Sequence, residues 1–320
     1  MNMPTLTIGN RTARLPIVQG GMAVRISLAP LAAAVAESGG IGLIAGSGLE
    51  PKELAEQIRT AKSQTSGVIG VNIMVAVSNF KELMESAISA GTDLIVAGAG
   101  FSRDIFAAGK NAGVPIVPIV GSVRVAKLAE RFGATAVVVE GFEAGGHLGT
   151  DRPMLDILPE IIEAVDIPVI GAGGVVTGSD IKRVLGMGAA GVQMGSRFAA
   201  TKESSAPEDF KQMYVDATPE DMVLIQSPVG LPGRALRNAF SDRHVAGDNP
   251  KIKRCTSCLK KCGKEFCIMD TLVRAQKGDV THGLVFAGDS AVRIKDIPTV
   301  RELMDRLVSE WSLATEGASA

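Results

Sequence analysis

A local pattern recurs along roughly the first 200 residues: an Ala-rich helical segment ends at Gly, and a short β-branched run follows it. A Gly directly after a helix takes the left-handed conformation that ends helices. The runs that follow, such as IGLIA, DLIVA, PIVPIV and TAVVVE, do not alternate between apolar and polar residues. They therefore indicate strands that are buried on both faces. Strands that alternate with helices in this way form a parallel sheet.

The pattern predicts eight such strands. They are Pro16–Gln19, Gly42–Ala45, Val68–Met74, Asp93–Ala97, Pro115–Val120, Ala136–Glu140, Pro168–Gly171 and Gly191–Met194. Eight parallel strands, each followed by a helix, predict an α/β protein with a (β/α)8 TIM barrel. An open doubly wound sheet is the alternative. It is disfavoured because such sheets rarely contain eight regular units, and because no GxGxxG follows the first strand.

The regular pattern stops after Arg197. Residues from about 206 to 285 contain polar and Pro-rich turns, which predict a smaller substrate lobe inserted into the barrel. The segment Thr299–Leu313 has apolar residues at helical spacing and predicts a last helix that packs on the barrel. The predicted domains are therefore a barrel, residues 1–205 plus about 286–320, and a lobe at about 206–285.

All four cysteines lie in one segment of the predicted lobe, with the spacing C-x2-C-x3-C-x4-C. They are Cys255, Cys258, Cys262 and Cys267. Such clustering predicts a metal centre. The short gaps favour an iron–sulfur cluster of the [4Fe–4S] type, with zinc as the alternative. Disulfides fit poorly, because we expect the protein to be in the cytoplasm, which is a reducing compartment. Six Lys and Arg residues surround the thiols; they would offset the charge of a cluster, or they form only a solvated basic loop.

Charge and hydropathy limit the partners and the location. The 33 basic and 34 acidic residues leave a net charge of −1, which gives no electrostatic reason to expect nucleic acid or an anionic membrane as partner. No apolar run reaches the roughly 18 residues that a membrane span needs. The N-terminal residues resemble no signal peptide, so we expect a cytoplasmic protein. A homodimer is one assembly that the sequence allows.

The active site of a barrel lies at the carboxyl ends of its strands. Gly173 and Gly174 follow the seventh predicted strand, and Gly195 and Ser196 follow the eighth. Loops at these two positions often bind phosphate in barrels. We also expect Ser179 and Asp180 to cap a helix whose N-terminus attracts the same anion.

His147 is the candidate catalytic residue. It lies in the Gly-rich segment AGGHLG after the sixth predicted strand. The glycines beside it leave room for its imidazole to face a ligand, and the usual pKa of histidine near 6.5 suits proton transfer.

Five segments together resemble the flavin-dependent family of nitronate monooxygenases and the flavoprotein type of enoyl-acyl-carrier-protein reductase. They are PIVQGGM, GVNIMV, EGFEAGGHLG, GAGGV and VQMGSRFAATKES. The resemblance implies FMN bound without a covalent bond, with His147 as the catalytic histidine. It implies that Gly21, Met22, Asn72 and Glu140 hold the ring and ribityl parts. It also implies that Ala144, Gly145 and Gly146 line the ring, and that Gly173, Gly174, Gly195 and Ser196 hold the phosphate. Gln193 and Met194, at the end of the eighth strand, complete the predicted cofactor site.

Three activities are compatible with these motifs. The first is NAD(P)H-dependent reduction of an enoyl thioester, presented as a small molecule or on an acyl carrier. The second is oxidation of alkyl nitronates by O2. The third is an iron–sulfur flavin redox partner without a reaction of its own. A catalytic histidine beside the flavin argues against the third, because a carrier needs no such residue.

Overall fold

A closed barrel of eight parallel strands forms the centre of the protein, whose computed structural model describes residues 3–314. In chain order the strands are β1 (Leu6–Ile8), β2 (Arg11–Ala13), β3 (Ile17–Gln19), β4 (Ile41–Ala45), β5 (Val68–Met74), β6 (Leu94–Gly98), β7 (Ile116–Val120), β8 (Val137–Glu140), β9 (Gly146–His147), β10 (Val169–Ala172), β11 (Gly191–Met194), β12 (Met222–Gln226) and β13 (Pro232–Leu236). The barrel contains β3 to β8, β10 and β11, and β11 pairs with β3 to close it. These eight strands match the eight predicted ones to within one residue at each end, so the predicted barrel is confirmed.

Helices follow the barrel strands and cover the outside of the barrel, and further helices lie in the lobe. They are α1 (Ala29–Glu37), α2 (Pro51–Gln64), α3 (Phe80–Ser89), α4 (Asp104–Ala112), α5 (Val123–Arg131), α6 (Met154–Ile162), α7 (Gly178–Gly186), α8 (Ser196–Ala199), α9 (Glu208–Asp216), α10 (Ala239–Val245), α11 (Ile268–Gln276) and α12 (Val300–Leu313). Helix α12 packs between α1 and α7, as its apolar stripe predicts. None of the helices in residues 3–314 has the length and apolar character to cross a membrane.

The strands are apolar throughout because successive side chains enter two different cores. Leu43 points into the barrel interior, whereas the next residue, Ile44, packs under the surrounding helices. The same alternation holds for Ile95 and Val96 on β6. The hairpin of β1 and β2 adds the buried Leu6 and other apolar residues to the interior core. The sequence pattern did not predict this hairpin.

A second, three-stranded sheet connects the lobe to the barrel. Strands β12 and β13 form an antiparallel hairpin, and β13 also pairs with β9. Because β9 lies in the loop after β8, the lobe sheet takes its edge strand from the barrel. The lobe has a core of its own, made of Val223, Ile225, Ala235, Phe240, Phe266, Ile268 and Leu284. The predicted domain bounds remain an interpretation of the sequence, and residues 1–2 and 315–320 of the predicted barrel lie outside the described residues.

Candidate active site

The predicted catalytic and cofactor residues line one pocket at the carboxyl ends of the barrel strands. They are Gly21, Met22, Asn72, Glu140, Ala144, Gly145, Gly146, His147, Gly173, Gly174, Gln193, Met194, Gly195 and Ser196. Barrel closure brings them together, because the ends of all eight strands meet at one face. Their individual roles stay predictions.

The floor of the pocket presents polar groups that have room for a ligand. The Oε1 atom of Gln193, on β11, is buried and accepts no hydrogen bond from a described residue. A buried carbonyl oxygen without a donor is unfavourable, so a bound group that offers an N–H or O–H would fit there. Gly21 allows the backbone to pass close by, since a Cβ at this position would lie 2.3 Å from the Cβ of Asn72.

Two glycine-rich turns also line the pocket. Gly173 and Gly174 have φ angles of 106° and 72°, which other residues rarely adopt. A Cβ at Gly195 would meet no atom within 4 Å, so space is open beside the backbone that begins α8. The hydroxyl of Ser196 accepts a hydrogen bond from the backbone N–H of Gly288 (2.9 Å) and keeps its own proton to donate. Open space and free donors suit a phosphate group.

The predicted capping of the next helix is right for Asp180 and wrong for Ser179. The N-cap of α7 is Thr177, and Asp180 is its partner in a capping box; Ser179 is not the cap. The carboxylate of Asp180 accepts hydrogen bonds from the backbone N–H groups of Val176 and Thr177, both at 2.9 Å. These amides are therefore already bound by a carboxylate, which also pairs with Arg293 (2.8 Å), so they are not free to bind an anion.

Pairing between the barrel loop and the lobe positions His147. Its backbone lies in β9, opposite Gly233 of β13. Its Nε2 atom lies 2.8 Å from the Oγ atom of Ser227. That oxygen accepts a hydrogen bond from the backbone N–H of Val229 (3.3 Å), so the Ser227 proton is free to go to Nε2. When Ser227 donates to Nε2, the ring proton lies on Nδ1, which bonds to no described residue.

The imidazole of His147 is neutral near pH 7. Burial lowers its pKa to about 4, because the charged form loses its hydration. The ring of Phe286 packs edge-on against it, with 5.1 Å between ring centroids. In the tautomer protonated on Nδ1, His147 can donate a hydrogen bond from that atom without carrying a charge.

Glu140 is the second group with a shifted pKa. Burial at the end of β8 and the nearby carboxylate of Glu143 raise the pKa of Glu140 to about 8. Glu143 is held in place because both of its carboxylate oxygens accept the backbone N–H of Met154, at 3.0 and 3.1 Å. The sequence motif contains Glu143, but we did not predict a role for it. Two carboxyl groups thus face the pocket, and one of them is uncharged at neutral pH when no ligand is bound.

The lobe covers the pocket with apolar side chains. Those that reach it are Phe210, Tyr214, Leu272, Leu284 and Phe286. No Lys or Arg is among the described residues that line the pocket. Sequence analysis missed this roof and Ser227, because the lobe segments lack a regular pattern. The only signal for Ser227 was its place in SPVGLPGR, a segment that includes turn residues.

The predicted metal centre is not assembled in the structure. All four cysteines are free thiols; Cys255 and Cys262 are exposed, and Cys258 and Cys267 are half-buried. Within residues 3–314, no three His, Cys, Asp or Glu side chains lie where they could share a metal ion. The backbone of the cysteine segment is hydrogen-bonded to Ser78 of the barrel at Cys258 and to Pro228 of the lobe at Gly263.

Comparison with known proteins identifies the family. The family model described as nitronate monooxygenase matches residues 5–310. The chain belongs to the nitronate monooxygenase family. It is 35% identical over 329 residues to the (3aS,4S,5R,7aS)-5-hydroxy-7a-methyl-1-oxo-octahydro-1H-indene-4-carboxyl-CoA dehydrogenase of Rhodococcus jostii, with 92% of each chain covered.

Two solved structures are similar along nearly the whole chain. FabK from Thermotoga maritima has a TM-score of 0.81 at 29% identity, covering 93% of this chain and 92% of FabK. Nitroalkane oxidase from Streptomyces ansochromogenes has a TM-score of 0.79 at 25% identity, covering 94% and 96%. The predicted family is therefore confirmed. Its members are FMN-dependent oxidoreductases, so the protein is an enzyme of the oxidoreductase class.

Proposed function

We propose that the protein is an FMN-dependent reductase that uses NADH or NADPH to reduce the activated double bond of an enoyl thioester. The observation that carries this proposal is the neutral His147 in a pocket that no described Lys or Arg lines. The pocket thus offers a hydrogen-bond donor without a positive charge. A thioester carbonyl, which is uncharged, suits that donor.

The residues on the floor and at the glycine-rich turns would hold FMN. Gln193 would accept a hydrogen bond through its unpartnered Oε1 atom. Gly195 and Ser196 would bind the phosphate through open backbone and a free hydroxyl proton. Bound there, the cofactor supplies hydride transfer.

His147 would orient and activate the substrate. Negative charge develops on the thioester oxygen when the β-carbon accepts a hydride, and a donor aimed at that oxygen stabilises the transition state. The α-carbon then takes up a proton from solvent, which completes the saturated thioester. The Nδ1–H group of His147 would be such a donor to the thioester oxygen, and Ser227 would hold this tautomer by donating to Nε2 on the other side of the ring. Phe286 and the other roof residues exclude water from the reacting atoms.

Oxidation of alkyl nitronates by O2 is the second candidate, and the family model and the likeness to nitroalkane oxidase favour it. A nitronate is an anion, however, and the acidic groups that line this pocket are Glu140, Glu143 and Tyr214. Glu140 is uncharged at neutral pH, and the Glu143 carboxylate would repel an anion. The Rhodococcus relative, whose name denotes a CoA thioester, supports the first candidate.

Anaerobic absorbance spectra of the purified flavoprotein separate the two candidates. We expect NADH or NADPH to bleach the flavin and crotonyl-CoA to restore its colour. A matched sample with His147→Gln, which keeps a side-chain amide donor but removes the ring, should bleach normally and recover slowly. If ethylnitronate bleaches the flavin and neither nucleotide does, the reductase proposal is wrong.

Several finer predictions from the sequence stay predictions. The prediction of a [4Fe–4S] cluster, with zinc as the alternative, rests on the spacing of the cysteines alone. The proposed reduction does not require a metal at these cysteines. Iron, zinc and acid-labile sulfide analysis of anaerobically purified protein tests the metal prediction; absence of all three would refute it. The cytoplasmic location and the homodimer await fractionation and sedimentation measurements.

A further inference from the structure

We infer that a basic segment at the rim of the pocket binds the phosphate groups of coenzyme A, so that the substrate is a CoA thioester. The basic segment is residues 251–264, KIKRCTSCLKKCGK. This inference rests on the proposed function, since it names the carrier of the enoyl group that the pocket reduces.

One side of the basic segment is attached to the barrel next to the pocket. Leu259 pairs with Val77 in an antiparallel bridge, and the backbone N–H of Lys260 donates to Ala76 (2.9 Å). The ammonium group of Lys260 also donates to the carbonyl of Val75 (2.7 Å). These partners directly follow β5, whose last residue, Met74, lines the pocket.

The other side of the basic segment is attached to the lobe beside the catalytic histidine. The backbone N–H of Gly263 donates to the carbonyl of Pro228 (2.8 Å). The preceding residue, Ser227, makes the hydrogen bond to His147. Further along the chain, Leu272 of α11 forms part of the pocket roof. The basic segment therefore runs beside the pocket, between the barrel after β5 and the lobe next to His147, and none of its own residues lines the pocket.

The charges of the basic segment are available to a ligand. It carries six Lys and Arg residues and no Asp or Glu, in a chain whose net charge is −1. Lys260 is engaged with the barrel. The other five are exposed, and none forms an ion pair with a described carboxylate: Lys251, Lys253, Arg254, Lys261 and Lys264. Like charges gathered without partners repel one another, and a polyanionic ligand would relieve that repulsion.

Coenzyme A has the charge distribution that this arrangement fits. Its 3′-phosphate and diphosphate are linked to the thioester through the long, uncharged pantetheine arm. With the thioester at His147, the arm would pass under the apolar roof and the phosphates would stay at the rim. Lysine and arginine bind phosphate through charge-assisted hydrogen bonds, and Arg254 adds the option of two parallel bonds.

Paired substrates test this assignment on the intact flavoprotein. We expect wild-type protein to favour crotonyl-CoA over crotonyl-pantetheine, which has the same reacting group and a single terminal hydroxyl in place of the nucleotide. In Lys261→Gln/Lys264→Gln, the ratio of kcat/KM for the two substrates should fall about tenfold or more, since a hydrogen bond to a charged group commonly contributes that factor. The matched control Lys52→Gln/Arg59→Gln, which removes two exposed cations from α2, should keep the wild-type ratio.

Binding of free CoA, measured by calorimetry, separates failure of the site from failure of the proposed reaction. Wild-type binding that the Lys261/Lys264 variant weakens about tenfold would support the site even if no thioester is reduced. Equal kcat/KM for both substrates, or equal losses on both in the variant, would overturn it. If the variant loses kcat/KM only for an enoyl group carried on acyl-carrier protein, the assignment would also be overturned, and the basic segment would instead bind acyl-carrier protein.

Discussion

Replacing Glu140 by glutamine tests the electrostatics of the pocket floor. Burial and the neighbouring Glu143 raise the pKa of Glu140 from 4.5 to about 8 in the folded, flavin-free protein. Between these values the folded protein holds a proton that the unfolded chain releases, so stability falls as pH rises through this window. At about 1.4 kcal/mol per pKa unit, the loss at pH 8 has a ceiling of about 5 kcal/mol. The glutamine side chain of the Glu140→Gln variant cannot ionise, so the variant avoids that loss.

Thermal unfolding of flavin-free protein at several pH values between about 5 and 8 measures the effect. We expect the melting temperature of the variant, relative to wild type, to rise by several degrees across this range, since at about 2.1 cal/mol/K per residue about 1 kcal/mol shifts Tm by roughly 1–2 °C in a chain of 320 residues. The opposite pH dependence contributed by His147 is the same in both proteins and cancels. Glu56→Gln, an exposed site on α2, is the control and should show no such trend. If the difference in melting temperature between Glu140→Gln and wild type stays constant from low to high pH, Glu140 does not hold the additional proton of the folded state.

Three further predictions concern single side chains. His147→Ala should keep flavin and fold but lower turnover by roughly 10²–10⁴; unchanged turnover in steady-state assays would remove His147 from the mechanism. Ser227→Ala should lower kcat by releasing the His147 tautomer while leaving FMN affinity, measured by fluorescence titration, unchanged; equal loss of both would indicate a structural role. Gly195→Ala should weaken FMN binding, because the new Cβ would occupy the space proposed for the phosphate. It should not lower the melting temperature of flavin-free protein, because that Cβ would meet no protein atom within 4 Å. The control Gly186→Ala, at an exposed open site, should bind FMN normally. Heat-released flavin from wild type should be FMN at about one per chain, and recovery of FAD would contradict the predicted phosphate end.

The barrel and the residues around its pocket could be predicted because local sequence determines both. A strand such as Ile41–Ala45 is apolar at every position, and that pattern alone indicates burial on two faces. Once eight such strands close, Gly21 and Gly195 must meet at one end of the barrel although they are distant in sequence.

Contacts with the lobe could not be predicted from the sequence. The hydrogen bond between His147 and Ser227 joins residues 80 positions apart, and it depends on β13 pairing with β9. The capping error at α7 is different, because Thr177 and Asp180 have the three-residue spacing of a capping box and could have been recognised. The spacing of the cysteines does not reveal that the backbone between them is attached to both Ser78 and Pro228.

Anaerobic turnover with product analysis tests the central proposal most directly. Purified flavoprotein is mixed with NADH or NADPH and crotonyl-CoA, and nucleotide oxidation and thioester products are measured together. The account predicts that one nucleotide is oxidised for each butyryl-CoA formed, without O2, and that this reaction slows strongly in His147→Ala. Turnover of ethylnitronate that requires O2, with no formation of butyryl-CoA from either nucleotide, would contradict it.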